Sequence, residues 1–360
     1  MTKVAVIPPA PALAGNALFE GRRLDSGAHS PNSHWMDGFA AVRRLAASRG
    51  IEMATHDLLP VDRADVVVHM AFPADPRAVA EQKRRHPQLK AVLVLIETAM
   101  GARYSFNPRN HAGFDAIITY DERIVDHRRY FPMRPRAYDR DRIRHGLPFH
   151  DRRVGCLVGT NRSLRRRSGV GVIARGWRMS WRDWADYTFC PGQLIDYRSN
   201  VGRLCAAAGP GVFDLYGEGW ELHPETRGAC LGIPAGATID YIGRYRFYMA
   251  FENHTGEHSL ISERVWDALW GDAVPVYRGN TRLERHIPRD AFVDADAFAS
   301  PAALLQRLVA VTEEEWTAMR RAGRAFITGR GVEPFLPEAF AEEFLRPIAA
   351  LAAAPRAGGV

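Results

Sequence analysis

The segment from Tyr245 to Arg278, YRFYMAFENHTGEHSLISERVWDALWGDAVPVYR, constrains the fold more than any other stretch of the chain. Tyr245 to Phe251 is almost wholly apolar and rich in aromatics, the composition of a strand covered on both faces. It stops at Glu252 and Asn253, two side chains able to hydrogen-bond a ligand at a strand's carboxyl end. A polar, flexible run follows, from His254 through Thr255, Gly256, Glu257 and His258 to Ser259. A helix is expected from about Ser262, with Val265, Ala268 and Leu269 on one face at i, i+3, i+4 spacing. Gly271 ends it, and Ala273 to Tyr277 returns as a strand. In open α/β sheets, ligands bind where such strands end and helices begin, and a helix N-terminus attracts phosphate. Arg264 falls in the first turn, the wrong end of the helix dipole for a cation. That placement implies an anionic partner.

The remainder repeats the same alternation. Lys3 to Pro8, Asp65 to Phe72, Lys90 to Ile96 and Phe114 to Tyr120 read as buried strands, with helices over Met36 to Ser48 and Pro76 to Arg85. Such alternation predicts a parallel sheet with Rossmann-like winding. Tyr130 to Arg153 is rich in Pro, Arg and Asp without periodicity and reads as a connection between domains. A second set begins at Val154 to Val158, continues through a helix over Asp196 to Ala208 and a strand over Val212 to Tyr216, and closes on amphipathic helices at Pro301 to Val309 and Glu313 to Ala325. Between them, Trp177, Trp181 and Trp184 fall on one helical face of an Arg-rich run; a packed amphipathic helix and an acceptor-binding or lid element both fit this segment, residues 175–189. The expected division is an N-terminal domain over 1–150, a C-terminal domain over 151–335, and a last helix within 336–360 that packs back on the first domain before a frayed tail.

Composition narrows the class. The chain has 360 residues, room for two domains, and 46% hydrophobic with 25% charged residues is the balance of a soluble globular protein. No apolar run reaches membrane-spanning length, and the N-terminus lacks the pattern of a signal peptide, so a cytoplasmic enzyme is expected. Cys156, Cys190, Cys205 and Cys230 are widely spaced, which argues for reduced thiols rather than a zinc site or disulfide framework. The net charge of +7 comes mainly from arginine. Such a balance is compatible with nucleic acid, an anionic membrane face that the protein contacts peripherally, or a nucleotide-sugar substrate; no nucleic-acid-binding motif accompanies it, and a solvated face is the simpler reading of the arginine runs.

The central segment resembles the donor-binding motif of the family 10 glycosyltransferases, the α-1,3/α-1,4-fucosyltransferases. That pattern runs F-E-N-S, a short gap, Y-[VI]-T-E-K, an apolar helix and V-P-V. Here it reads Phe251-Glu252-Asn253-His254, then Leu260-Ile261-Ser262-Glu263-Arg264, then Val274-Pro275-Val276. The likeness continues through Gly279, Ile287 to Val293 and Asp296 to Pro301. It implies the GT-B architecture, two Rossmann-like α/β domains facing across a cleft, and an inverting transfer from GDP-fucose to a saccharide or small-molecule acceptor.

Chemistry of that kind needs a base for the acceptor hydroxyl and charge stabilisation for the departing diphosphate. Glu97, closing the strand Lys90 to Ile96, is the candidate base; Ile96-Glu97-Thr98 resembles the family segment that holds its catalytic Glu. Arg198 and Arg264 are the candidate phosphate ligands, with Arg203 a rival to the first; Arg264 stands where the family has Lys. The resemblance adds Glu252, Asn253, Ser262 and Glu263 to the donor site, the last toward ribose hydroxyls. With arginines to neutralise the diphosphate, no cofactor and no metal are required, and the D-x-D patterns at Asp139/Asp141 and Asp294/Asp296 read as caps and turns. Leu260 departs from the family Tyr, and the gap before it is one residue longer. The alternative reading is therefore the same chemistry with another donor, an ADP- or GDP-activated heptose or deoxysugar, in bacterial natural-product or surface-glycan assembly. A non-catalytic nucleotide-binding protein is the reading from a different class.

Overall fold

In the computed structural model of the chain, residues 1–20, 36–71, 73, 77–96, 103–161, 192–209, 211–234, 236–257 and 259–353 are described. They form two compact units, Met1–Asp139 with Glu333–Val360, and Arg140–Val332.

The first unit is built on a six-stranded parallel sheet. Its strands are β1 (Thr2–Ile7), β2 (Ile51–Thr55), β3 (Val66–His69), β4 (Lys90–Leu95), β5 (Ala116–Thr119) and β6 (Tyr130–Pro132), in the order β2-β1-β3-β4-β5-β6. Successive side chains of a strand point to opposite faces. In β4, Val92 and Val94 enter one core with Val66 and Val68, while Ala91, Leu93 and Leu95 enter another with Val67 and Val79. An uninterrupted apolar run is what such two-sided burial demands. Helix α1 (Asp37–Ser48) covers the first face, and α2 (Ala78–Arg85) contributes Val79 to the second.

The first core is completed from the far end of the sequence. The last helix packs on α1 through edge-on aromatic contacts, Phe39 to Phe340 at 5.4 Å and Phe39 to Phe344 at 5.5 Å between ring centroids. Arg136 lies over both Phe39 and Phe340, at 5.2 and 4.9 Å.

The second unit repeats the plan with five parallel strands: β7 (Arg153–Val158), β8 (Phe213–Tyr216), β9 (Tyr245–Phe251), β10 (Val274–Arg278) and β11 (Val293–Asp294), ordered β11-β10-β9-β7-β8. Its helices of eight or more residues among those described are α3 (Ile195–Ala207), α4 (Glu263–Trp270), α5 (Pro301–Ala310) and α6 (Glu313–Thr328); the last helix of the chain is α7 (Pro337–Ala353). β9 is the central strand, and Phe247, Met249 and Phe251 pack with Val201 and Cys205 of α3 and Leu304 and Leu308 of α5. α4 packs against β9 and β10. β9 and β10 pair in the register Val274↔Phe247 to Arg278↔Phe251, which sets the carboxyl ends of the two strands side by side.

Candidate donor site at the carboxyl end of the central strand

The chain leaves β9 at Phe251, and the next residue is a buried carboxylate. Glu252 is 2% exposed, and its amide still continues the sheet by donating to the Arg278 carbonyl at 2.8 Å. Its side chain turns to the start of α4: Oε1 accepts from the Ser262 amide at 2.7 Å, and Oε2 meets Arg264 Nη1 at 3.2 Å. Ser262 is the N-cap of α4, and its Oγ also accepts from Arg264 Nη1, at 2.9 Å. The chain thus supplies for Arg264 the anion that its place in the first turn of a helix calls for. Burial pushes the Glu252 carboxyl up, and the Arg264 guanidinium and Ser262 amide pull it back. Arg264 is held charged, because the carboxylates of Glu263 and Glu252 outweigh the burial that opposes it.

The second arginine arrives from α3. Arg198, 4% exposed, donates from Nη1 to Asn253 Oδ1 at 3.0 Å. This contact is fixed by a backbone zipper between the entry to α3 and the exit from β9. Leu194 N–H donates to Asn253 O at 3.0 Å, Thr255 N–H donates to Gly192 O at 2.8 Å, and Gln193 bridges His254. Arg203 lies elsewhere, with Nη2 at 3.4 Å from Ser199 Oγ. Arg198, Glu252, Asn253, Ser262, Glu263 and Arg264 therefore come together around one strand end. Glu97 and the Trp-rich segment 175–189 lie outside the described residues.

Several contributors have no signature in the sequence. Thr255 Oγ1 donates to the Gly279 carbonyl at 2.8 Å, and Asn280 Nδ2 donates to Ser259 O at 2.7 Å. Arg282 pairs with Glu257. The loop after β9 is thereby tied to the loop after β10, a consequence of strand register that only the folded sheet reveals. Gly279 has to be glycine: a Cβ there would stand 2.4 Å from Glu252 Cγ and 2.7 Å from the Tyr277 hydroxyl. Beside them Arg278 stacks over Tyr197 at 3.9 Å and pairs with Asp296 at 2.7 Å. Asp294 caps its own turn by accepting from the Asp296 amide at 3.0 Å.

Two guanidiniums held at a strand end by in-chain carbonyl and carboxylate oxygens make a site suited to phosphate. Residues 213–320, which include β9, α4 and β10, match the family model described as glycosyltransferase family 10 (fucosyltransferase), C-terminal part. The match lies within the second unit. Over 79 residues the chain is 43% identical to the 4-galactosyl-N-acetylglucosaminide 3-alpha-L-fucosyltransferase FUT6 of Pongo pygmaeus, covering 21% of this chain and 22% of that protein. It is 42% identical over 79 residues to the human 3-galactosyl-N-acetylglucosaminide 4-alpha-L-fucosyltransferase FUT3, again 21% of this chain and 22% of that one. The likeness to these relatives thus spans about a fifth of their length.

Among solved structures, an alpha1,3-fucosyltransferase aligns over 98% of this chain and 90% of its own, with a TM-score of 0.58 at 14% identity. Anabaena HepE, crystallised with UDP and glucose, aligns over 97% of this chain and 100% of its own, with a TM-score of 0.53 at 10% identity. At such identities the likeness is one of fold, the GT-B fold of two Rossmann-like α/β units that these glycosyltransferases share. The sequence resemblance noted above for residues 251–301 falls inside the family 10 match.

Proposed function

We propose that the protein is an inverting glycosyltransferase that moves a sugar, fucose foremost, from a nucleoside diphosphate to an acceptor hydroxyl. One observation carries this reading: Arg198 and Arg264, each oriented by a neighbouring side chain, meet consecutive residues, Asn253 and Glu252, at the carboxyl end of β9, a strand within the residues that match the family 10 model. In the proposed reaction Glu97 takes the proton of the acceptor hydroxyl, and the acceptor oxygen attacks the anomeric carbon. The bond from that carbon to the diphosphate breaks with its electron pair passing to the phosphate oxygen. Arg198 and Arg264 stabilise the charge that builds there, and positively charged donors fixed in advance are worth most against charge that develops late. Charge neutralisation by arginine makes a metal ion unnecessary in this scheme.

A second donor class has a specific observation in its favour. Leu260, half-buried between the β9 loop and α4, has no hydroxyl where the family motif has Tyr. An ADP- or GDP-activated heptose or deoxysugar fits that change while keeping the chemistry.

Calorimetric titration of GDP, ADP, UDP and dTDP without metal, into wild type, Arg264→Ala and Arg198→Ala, tests the reading. Losing one charge-assisted bidentate contact is expected to weaken binding about ten- to hundredfold. Tight binding of GDP alone, weakened by either substitution, supports the fucose donor. Preference for ADP moves the sugar away from fucose, and no binding of any diphosphate sinks the transferase reading.

A further inference from the structure

The geometry around Glu252 supports a step that rests on the nucleotide-sugar reading. We propose that Glu252 is a positioning residue and not a donor ligand: it holds Arg264 by one nitrogen so that the Nε/Nη2 edge of the guanidinium is kept for a phosphate group of a nucleoside diphosphate.

Glu252 has little left to offer a ligand. Its side chain is 3% exposed, Oε1 is used by the Ser262 amide at 2.7 Å and Oε2 by Arg264 at 3.2 Å. The Tyr277 hydroxyl and Gly279 close the other side, where even a methyl group would collide with Glu252 Cγ. The carboxylate cannot swing toward a substrate without displacing backbone. Arg264 shows the complementary pattern. Both of its side-chain hydrogen bonds, to Glu252 and to Ser262 Oγ at 2.9 Å, use Nη1. Nε and Nη2 make no hydrogen bond to a described residue, and these two parallel N–H groups form the edge that binds phosphate or carboxylate in bidentate fashion. A lysine at this position could answer Glu252 or a phosphate, but could not divide itself this way.

The charge of Glu252 makes the idea decidable. A carboxylate beside an anion site repels the anion, so a residue there without a positioning role should bind the ligand better once neutralised. A residue that orients the cation should have the opposite effect. Inorganic pyrophosphate and GDP are the probes, titrated into the full-length chain. Glu252→Gln is expected to weaken both about tenfold, and to have no further effect in the Arg264→Ala background, as two groups acting through one contact do. Tighter pyrophosphate binding by Glu252→Gln would overturn the proposal. So would a loss confined to GDP, because that pattern belongs to a carboxylate that contacts the nucleoside.

If Glu252→Gln does not fold, Arg264→Lys decides the matter. It keeps the charge and the partner for Glu252 but lacks the second donor edge, and is expected to bind pyrophosphate about tenfold more weakly. Binding equal to wild type would overturn the proposal. Failure of the wild-type chain to bind either probe is the distinct result that removes the nucleotide-sugar reading and this inference with it.

Discussion

Asp272 adopts φ +68°, a left-handed conformation that glycine reaches at no steric cost and an aspartate does not. The reason is the end of α4. Ala273 N–H reaches back to Ala268 O at 2.9 Å and Asp272 N–H to Leu269 O at 3.4 Å, the paired bonds of a Schellman termination with Asp272 at the left-handed position. What holds an aspartate there is its carboxylate, 1% exposed, which takes Arg152 Nη2 at 2.8 Å, Arg320 Nη2 at 2.8 Å, Arg324 Nη2 at 2.6 Å and the Gly146 amide at 2.9 Å. Arg152 is itself buried and stacked 4.7 Å from Trp316, and among the described residues Asp272 is the carboxylate it pairs with. Burial opposes ionisation of Asp272, but hydrogen bonds from Arg320, the Gly146 amide, Arg152 and Arg324 more than offset it and hold the carboxyl at about 2. Asn tolerates the left-handed conformation, so Asp272→Asn isolates the charge. It should cost about 3 kcal/mol or more, read as a fall in denaturant midpoint, because three arginines lose their anion. The linkage sign follows from a folded pKa below the unfolded one: the stabilisation is present above about pH 4 and is lost as pH falls toward 2, by about 2 kcal/mol. The Asn variant should lack that acid-dependent loss; an unchanged acid limb would mean that Asp272 is not the group responsible.

Helix α3 shows how an element sets a side chain. Gly202, one turn beyond Arg198, faces the Trp220 ring so closely that a Cβ would stand 2.3 Å from it. Trp220 is fully buried and donates from Nε1 to the Gly159 carbonyl at 2.7 Å, so it cannot retreat. Gly202→Ala must push α3 off the sheet, costing about 1–3 kcal/mol by overpacking. The displacement should also pull Arg198 from Asn253 and weaken GDP binding several-fold. A stability loss with unchanged affinity would show that the Asn253 contact, not the Trp220 contact, positions the arginine. Elements of this kind were unequally legible in the sequence. β3, β4, β5 and β9 are nearly continuous apolar runs, Lys90 and Arg246 being half-buried exceptions, because both of their faces are buried. β2 is not: its exposures alternate, with Glu52 and Ala54 half-buried, at the edge of its sheet, and the sequence reading passes over it. β6 hides in a Pro- and Arg-rich stretch, because Tyr130 to Pro132 is half-buried throughout. Glu252 to Arg264 could be read because they are contiguous, whereas Asn280 reaches Ser259 only through the pairing of β9 with β10, and Arg152 finds Asp272 across far-separated segments. The need of Arg264 for an anion was legible; that Glu252 meets it was not.

At the scale of the whole chain, the residues proposed for donor binding and for proton transfer come from different parts of the sequence. The arginines proposed to hold the donor diphosphate belong to α3 and α4 of the second unit, whereas Glu97 belongs to the sequence that follows β4 of the first. The family 10 match covers residues 213–320, which lie in the second unit. If the roles are divided in that way, binding and proton transfer are separable by substitution. Arg264→Ala should lower GDP affinity, and the rate of sugar release from the donor should fall with it. Glu97→Gln should leave GDP affinity within about twofold of wild type while the rate falls about a hundredfold, the loss typical of a general base. Titration of GDP alongside donor-hydrolysis assays on the same preparations measures both quantities. A Glu97→Gln variant that loses affinity in step with rate would place Glu97 among the donor ligands, and one that keeps its rate would leave the acceptor proton to another residue. Either result would redraw the division, because a guanidinium can donate to a phosphate but has no capacity to accept a proton.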